Sequence, residues 1–248
     1  MIRIAAVGDV HVDQDVVGRY RPALDELPDR ADALLVAGDL TRHGTPEEAR
    51  CFATEFGGLG VPVVVVLGNH DHQSDQQDEV TKVLTGAGIT VLEGDTTVLE
   101  LHGHRVGVAG VKGFGGGFAG ACASNFGERE MKNFVGATEE IADRLAAALQ
   151  SLQVDALIAL THYAPVPDTL VGEPLEIYPF LGCYQLGRAI DSAPTALALH
   201  GHAHHGSERG RTPGGVPVRN VAHPVIKQAY NVYQLLSEEV DTSLVGAS

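Results

Sequence analysis

Three aliphatic runs near the amino terminus of this chain all end in a glycine that is followed by a polar residue. Near-continuous β-branched and aliphatic runs are typical of strands that are covered on both faces. The runs are residues 4–7, 33–37 and 63–67, and they precede Gly8-Asp9, Gly38-Asp39 and Gly68-Asn69. The pattern therefore predicts three buried strands, each of which delivers a polar side chain at its carboxyl end.

Between the second and third predicted strands, the sequence carries the signals of a helix start. Thr45 can cap the helix, Pro46 suits its first position, and Glu48 completes a capping box. Strands that are joined by a helical crossover run parallel, and ligands bind at the carboxyl ends of parallel strands. We therefore expect the polar residues after the three runs to lie close together.

The rest of the chain predicts a second sheet, partly antiparallel, and a long helix. Short strands are expected at 89–92, 97–101 and 106–109, and further strands at 156–160, 196–199, 216–221 and 229–235. A helix over 138–152 would have Thr138 as its N-cap and one apolar face. No linker or internal repeat divides the sequence, so we expect a single domain over residues 1–248.

The charge balance argues against non-specific binding to nucleic acids and anionic membranes. The chain has 17 basic and 32 acidic residues, a formal net charge of −15. This charge opposes attraction to nucleic acid and to anionic membrane surfaces, so neither stable nucleic-acid binding nor a membrane partner is expected. The three cysteines are scattered, and the sequence has no signal-peptide pattern. It also has no apolar stretch of the roughly 20 residues that a membrane helix needs. These features predict a soluble cytoplasmic protein. The oligomeric state is not predicted.

Side chains that commonly bind metals follow five predicted strands. Asp9 and His11 have one residue between them, so both side chains would leave an extended segment on the same side. A mixture of imidazole and carboxylate ligands suits Mn, Fe, Zn, Co or Ni better than Ca or Mg alone. The candidate metal ligands are Asp9, His11, Asp39, Asn69, His162, His202 and His204.

The order of these motifs resembles the calcineurin-like metallophosphoesterase superfamily. Asp-x-His, Gly-Asp, Gly-Asn-His-Asp, a later lone histidine and Gly-His-x-His occur in that order between residues 8 and 204. The resemblance implies a mixed α/β fold, a four-layer αββα sandwich of two mixed sheets flanked by helices. It implies a first metal at Asp9, His11, Asp39 and His204, and a second at Asp39, Asn69, His162 and His202. It favours Mn²⁺ or Fe²⁺/Fe³⁺, with Zn²⁺, Co²⁺ or Ni²⁺ as alternatives.

The resemblance also implies the chemistry. With Asp39 bridging two cations, a water between them would be deprotonated near neutral pH, and the resulting hydroxide would attack phosphorus. His70 resembles the histidine of the family that touches the substrate phosphate and assists the leaving group. The alternative is that His70 only orients Asn69, while Asp71 is expected to be structural. His200 is expected to be a buried partner of other groups and not a metal ligand.

The resemblance implies a small phosphoester substrate, a class that includes nucleotides, but the motifs do not name it. Val12 and residues 40–44 differ from the Ser/Thr protein phosphatase branch, which has a glycine after Asp-x-His and an Asp-Arg pair after the second Gly-Asp. Residues 38–41 and 44–48 look more like the small bacterial phosphodiesterases, which include cyclic-nucleotide enzymes. A phosphodiesterase is favoured, and a phosphomonoesterase acting on a small phosphorylated metabolite or nucleotide is the alternative.

Two segments outside these motifs are candidates for a wall of the site. Residues 113–120 contain Gly-x-Gly-x-x-Gly, which also occurs in dinucleotide-binding proteins, but no helix is predicted directly after Gly120. Residues 163–184 are rich in proline and aromatic residues. Each segment could border a substrate, or be an ordinary loop or an oligomer contact. In the first segment, Phe114, Phe118 or Lys112 would contact the substrate. A catalytically inactive scaffold would lack a ligand or His70, and neither is missing.

Overall fold

A computed structural model describes residues 1–236 of the chain. The strands are β1 Ile2–Val7, β2 Ala33–Ala37, β3 Val63–Val66, β4 Thr90–Leu92, β5 Asp95–Leu101, β6 His104–Val111, β7 Gly117–Phe118, β8 Ala121–Cys122, β9 Ala156–Thr161, β10 Leu197–His200, β11 Arg209–Arg211, β12 Pro217–Asn220 and β13 Asn231–Leu235. The α-helices are α1 Arg21–Leu24, α2 Leu27–Arg30, α3 Pro46–Phe56, α4 Gln77–Gly86, α5 Arg129–Ser151, α6 Tyr178–Leu181, α7 Tyr184–Asp191 and α8 His223–Ile226.

The first sheet contains the three strands that the aliphatic runs predicted. Its strand order is β13-β1-β2-β3-β4, in which β1 to β4 are parallel and β13 is antiparallel to β1. Val36 pairs with Val7 on one side and with Val65 on the other, so the three strands end at the same edge. Helix α3 forms the predicted crossover, and Thr45 and Glu48 complete its capping box.

The second sheet has the strand order β11-β12-β10-β9-β6-β5. Its four central strands are parallel, and β5 and β11 are antiparallel at the two edges. Strands β9 and β10 are direct neighbours, with Leu160 paired to Leu199. Because they are parallel, the residues that follow them, His162 and Gly201, lie at the same end of the sheet.

Three hydrophobic clusters separate four layers. The cluster between the sheets contains Leu35 of β2 and Leu160 of β9. The neighbouring Leu34 points to the other face of the first sheet, where it packs with Phe52 of α3. On the far face of the second sheet, residues of β6, β9 and β10 pack with residues of α5 and α7, including Leu145. The predicted αββα sandwich of two mixed sheets is confirmed.

Two sequence-based expectations about the middle of the chain were wrong. The strand predicted at 89–92 corresponds to β4, which joins the first sheet beside β3 instead of the second sheet. The long helix begins at Arg129, and Thr138 lies inside it. The buried Thr138 hydroxyl lies 2.6 Å from the Gly115 carbonyl and 3.1 Å from the Phe134 carbonyl one turn earlier. Threonine hydroxyls bond to nearby backbone groups both at helix caps and inside helices, so the sequence alone does not distinguish the two positions.

In the part of the chain that the structure describes, no helix is long and apolar enough to cross a membrane. The prediction of one domain over residues 1–248 stays a prediction, since residues 237–248 lie outside the description.

Candidate metal centre

All seven residues predicted to bind metals meet where the carboxyl ends of the two sheets face each other. Ligand atoms of Asp9, His11, Asp39 and His204 lie within 4.8 Å of one another, and so do those of Asp39, His162 and His202. Asn69 joins the second group, because its Oδ1 is 2.9 Å from His162 Nε2. Asp39 belongs to both groups, so the structure contains two overlapping clusters.

Four of the seven residues have left-handed backbone conformations. The φ angles are +55° at Asp9, +44° at His11, +50° at Asp39 and +69° at His202. Such conformations are uncommon outside glycine and cost of order 1–3 kcal/mol each, so they persist only where the surrounding fold imposes them. The fold therefore fixes the backbone at these four positions.

The glycine before a ligand leaves room for a ligand from another strand. A Cβ on Gly68 would lie 2.1 Å from Asp39 Oδ1, and a Cβ on Gly38 would lie 2.6 Å from the His162 ring. On the second sheet, a Cβ on Gly201 would lie 2.2 Å from Asp9 Oδ2. The repeated glycine in the motifs is thus a packing requirement of the centre.

His162 is held with one ring nitrogen free for a ligand role. Its Nδ1 lies 2.9 Å from the Ala37 carbonyl, which can only accept a hydrogen bond, so Nδ1 carries the proton. Burial lowers the pKa of His162 well below its ordinary value, which keeps the ring neutral. Its unprotonated Nε2 then faces two more acceptors, Asn69 Oδ1 at 2.9 Å and Asp39 Oδ1 at 3.3 Å. Three converging acceptors without a proton fit a bound cation.

His202 is oriented in the same manner as His162, but through Nε2 instead of Nδ1. Its Nε2–H donates to the Phe180 carbonyl at 3.2 Å, which leaves Nδ1 for the second cluster. Burial lowers the pKa of His202 to about 3 and that of His11 to about 4, so both rings are neutral at neutral pH, as metal binding requires. His204 differs, because its hydrogen bond to Asp9 Oδ1, 2.9 Å long, raises its pKa.

The buried carboxylates of the centre lack the positive charge that would stabilise them in their ionised form. Burial, together with the charges of Asp9 and Asp71, raises the pKa of Asp39 to about 9. Among residues 1–236, the ion-pair partners of Asp9 and Asp39 are histidines, not lysine or arginine. Cations at the two clusters would supply the missing positive charge, so the chemistry of the donors fits a pair of metal ions.

Asp71 has the structural role that the sequence predicted. Its buried carboxylate accepts hydrogen bonds from the backbone N–H groups of Leu40, Thr41 and Gly68, and from the Thr41 hydroxyl. These contacts tie the turn after β2 to the turn after β3. They fix the spacing between the segments that carry Asp39 and Asn69.

His70 lies beside the two clusters and is open to solvent. Its Nδ1–H donates to the Arg42 carbonyl at 2.7 Å, so Nε2 is directed toward Asp39 Oδ2, 4.0 Å away. Its backbone N–H donates to Asp39 Oδ1 at 2.9 Å. The ring centroid is 4.5 Å from that of His11, and 38% of the side chain is exposed. A substrate at the clusters could therefore reach this imidazole.

Some partners of the site gave no signal in the sequence. The carbonyls of Ala37, Arg42 and Phe180 orient His162, His70 and His202, and every residue type has a carbonyl. His200 is buried and bonded to Thr169, as expected for a histidine that is not a ligand. A further group of side chains close enough to hold an ion consists of Asp13, His43 and Glu48. These side chains have partners in the protein, because His43 pairs with Glu48 and Asp13 pairs with Arg42.

Comparison with known proteins places these features in context. The family model described as calcineurin-like phosphoesterase matches residues 2–206. A 51-residue segment is 37% identical to the glycerophosphodiester phosphodiesterase GpdQ of Enterobacter lignolyticus (strain SCF1), and it covers 21% of this chain and 18% of that protein. The match thus spans less than a fifth of the length of that relative.

Solved structures share the fold at low sequence identity. Phosphopantetheinyl hydrolase (PptH) from Mycobacterium tuberculosis aligns with a TM-score of 0.65 at 15% identity, over 95% of this chain and 96% of that chain. A candidate 5′-nucleotidase from Staphylococcus aureus aligns with a TM-score of 0.56 at 14% identity, over 88% of this chain and 48% of that chain. At these identities the alignments show a common architecture.

Proposed function

Because the chain belongs to the calcineurin-like phosphoesterase family, we propose that it is a binuclear metal-dependent hydrolase that cleaves phosphodiester bonds. One observation carries the proposal. Asp39 Oδ1 faces His162 Nε2 at 3.3 Å, whereas Asp39 Oδ2 faces His11 Nε2 at 3.8 Å. A buried carboxylate with one oxygen toward each of two ligand clusters is suited to bridging two cations.

The chain offers a complete set of donors for each ion. The first ion would be held by Asp9, His11, Asp39 and His204, and the second by Asp39, Asn69, His162 and His202. Neutral imidazoles combined with carboxylates favour transition metals, and Mn²⁺ or iron is our first expectation. When bound, the two ions would activate a water and neutralise charge on the phosphoryl oxygens.

The residues of the chain have separate tasks in this proposal. The Ala37 and Phe180 carbonyls hold His162 and His202 in the orientation that a ligand needs. His70 is fixed by the Arg42 carbonyl and presents Nε2 to the substrate side, where it would donate a proton to the leaving oxygen. Lys112 adds positive charge beside the centre, and this charge lowers the pKa of Asp39.

The choice of a diester is supported by the local match to a glycerophosphodiester phosphodiesterase. The motif after Asp39 also lacks the Asp-Arg pair of protein phosphatases. A phosphomonoesterase acting on a small metabolite or nucleotide is the alternative that the test must separate. A cytoplasmic location stays a prediction from the sequence.

The test compares initial rates on bis(p-nitrophenyl) phosphate and p-nitrophenyl phosphate. The protein is stripped with a chelator and refilled with Mn²⁺, and the stripped protein is the control. Metal-dependent hydrolysis with faster diester cleavage is the expected result. Faster monoester cleavage would contradict the diester assignment, and equal rates with and without metal would contradict the metal-dependent mechanism.

A further inference from the structure

The glycine-rich segment 113–120 packs against the segment 178–183 and forms one wall with it. The Gly116 N–H donates to the Pro179 carbonyl at 2.7 Å, and the Gly117 N–H donates to the Gly182 carbonyl at 2.9 Å. A Cβ on Gly115 would lie 2.5 Å from the Pro179 carbonyl oxygen. These glycines therefore permit close backbone contact. The segment continues into the hairpin β7-β8, not into a helix, which does not fit a dinucleotide-binding turn.

This wall borders an open recess of about 510 Å³. Its apolar lining includes Cys122, Met131, Phe134, Pro179 and Phe180. Met131 is 37% exposed and Phe180 is 62% exposed, although both are large apolar residues. A recess of this size lies within the range of sites that bind small organic molecules, about 300–1,000 Å³.

The recess is linked to the candidate metal centre through Phe180. Phe180 lines the recess with its side chain, while its carbonyl accepts the hydrogen bond from the ligand His202. A row of aromatic rings makes a second connection. Ring centroids are 4.3 Å apart for His202 and Tyr163, 5.9 Å for Tyr163 and Phe114, and 5.1 Å for Phe114 and Phe134. The recess therefore lies one residue, Phe180, away from His202 of the candidate centre.

We propose that this recess binds an uncharged apolar group of the phosphoester, and this proposal rests on the function proposed above. The lining favours aryl or alkyl carbon over polar groups. Glu128 and Glu130 also line the recess, and their charges disfavour an anionic group such as a further phosphate. The substrate class is therefore a phosphoester with one apolar substituent, and nucleoside polyphosphates are disfavoured.

Calorimetry with two phosphonates tests the recess without the need for turnover. Phenylphosphonate and methylphosphonate carry the same phosphonate group, and only the first has a group large enough for the recess. At a pH at which both are dianions, the Mn²⁺-loaded wild type is expected to bind phenylphosphonate at least about 10-fold more tightly, since even one methylene in an apolar pocket is worth about 10-fold or more.

Two variants should abolish the preference for phenylphosphonate if binding in the recess causes it. Met131→Glu adds a charge to the lining, and Phe180→Ser removes a ring but keeps the carbonyl that orients His202. Both are expected to bring the two dissociation constants to within about 3-fold of each other, with methylphosphonate as the internal reference. Val232→Glu, at a 40% exposed position on the edge strand β13 of the other sheet, is the matched control and is expected to keep the preference.

Equal affinities of the wild type for both phosphonates would overturn the proposal, as would a preference that survives in both variants. Hydrolysis of bis(p-nitrophenyl) phosphate by the same preparations separates this result from the fate of the proposed function. Metal-dependent hydrolysis without a phenyl preference overturns the recess alone. A variant-sensitive phenyl preference without hydrolysis supports the recess and overturns the phosphodiesterase proposal.

Discussion

At the scale of single residues, the proposed centre depends most on Asp39. Its side chain is 1% exposed, and its two oxygens face different ligand clusters. A bridging carboxylate cannot be replaced by an amide, because an amide offers one oxygen and no charge. The consequence of losing Asp39 should therefore appear in metal content as well as in rate.

Asp39→Asn is expected to lower the metal-dependent rate by more than about 100-fold, since even partners outside the ligand shell are worth about 10–100-fold. It should also lower the bound metal to one ion or fewer per chain, which elemental analysis after gel filtration measures. Asp143→Asn, at an exposed position on α5, is the matched control and should behave like the wild type. Two bound ions and full turnover in Asp39→Asn would show that the bridge is wrongly assigned.

His70→Ala is expected to keep both metals and to lower kcat by about 10²–10⁴-fold, the usual contribution of a general acid. The reason is that among residues 1–236 the ring of His70 is hydrogen-bonded through Nδ1 and not through Nε2, so Nε2 is available for proton transfer to a substrate. Steady-state rates and metal analysis check the two parts together. His104→Ala, at a partly exposed position on β6, is the control. Unchanged kcat would leave His70 with only an orienting role.

At the scale of secondary-structure elements, helix α5 gives the clearest test of a sequence-based error. The helix runs from Arg129, so Gly136 lies in its interior, and a Cβ added there would meet no heavy atom within 4 Å. A helix that began at Thr138 would leave Gly136 outside. The two possibilities predict different effects of an alanine at this position.

Gly136→Ala is expected to raise the free energy of unfolding by about 0.5–1 kcal/mol, because glycine is the poorer residue inside a helix. Urea unfolding followed by circular dichroism measures the change. Gly103→Ala is the matched control: its added Cβ also meets open space, but its φ is +80°, so it should destabilise by about 1–2 kcal/mol. No gain from Gly136→Ala would argue against a helix at this position.

The sequence motifs predicted which side chains come together more accurately than they predicted the surrounding helices and strands. Asp9, Asp39 and Asn69 could be located because each follows an aliphatic run, and parallel strands bring such positions together. The carbonyl partners of the histidines could not be found, because a backbone group has no sequence identity. The start of α5 was missed because Gly136 and Thr138 together resemble a boundary, while tertiary contacts such as Thr138 to Gly115 sustain the helix.

At the scale of the whole molecule, the candidate centre joins the two sheets. Asp9, Asp39 and Asn69 follow strands of the first sheet, whereas His162 and His202 follow strands of the second. Each cluster contains residues from both sheets. Bound ions would therefore stabilise the packing of one sheet on the other, and metal loading should be visible in global unfolding.

At a free Mn²⁺ concentration about 100 times its dissociation constant, the free energy of unfolding is expected to rise by about 2.7 kcal/mol per ion relative to the chelated protein. Urea titrations with Mn²⁺ and with chelator measure this difference. Asp39→Asn should show a much smaller difference, and Asp143→Asn should show the full one. Identical midpoints in Mn²⁺ and chelator for the wild type would mean that no ion bridges the sheets.

The division of ligands between the sheets also follows the order of the chain. The ligands of the first sheet lie between residues 9 and 69, and those of the second between residues 162 and 204. A nascent chain that ends after β4, and so carries only strands β1 to β4 of the first sheet, contains neither cluster in full. An ion that needs a full cluster would therefore bind only after His202 and His204 have been synthesised.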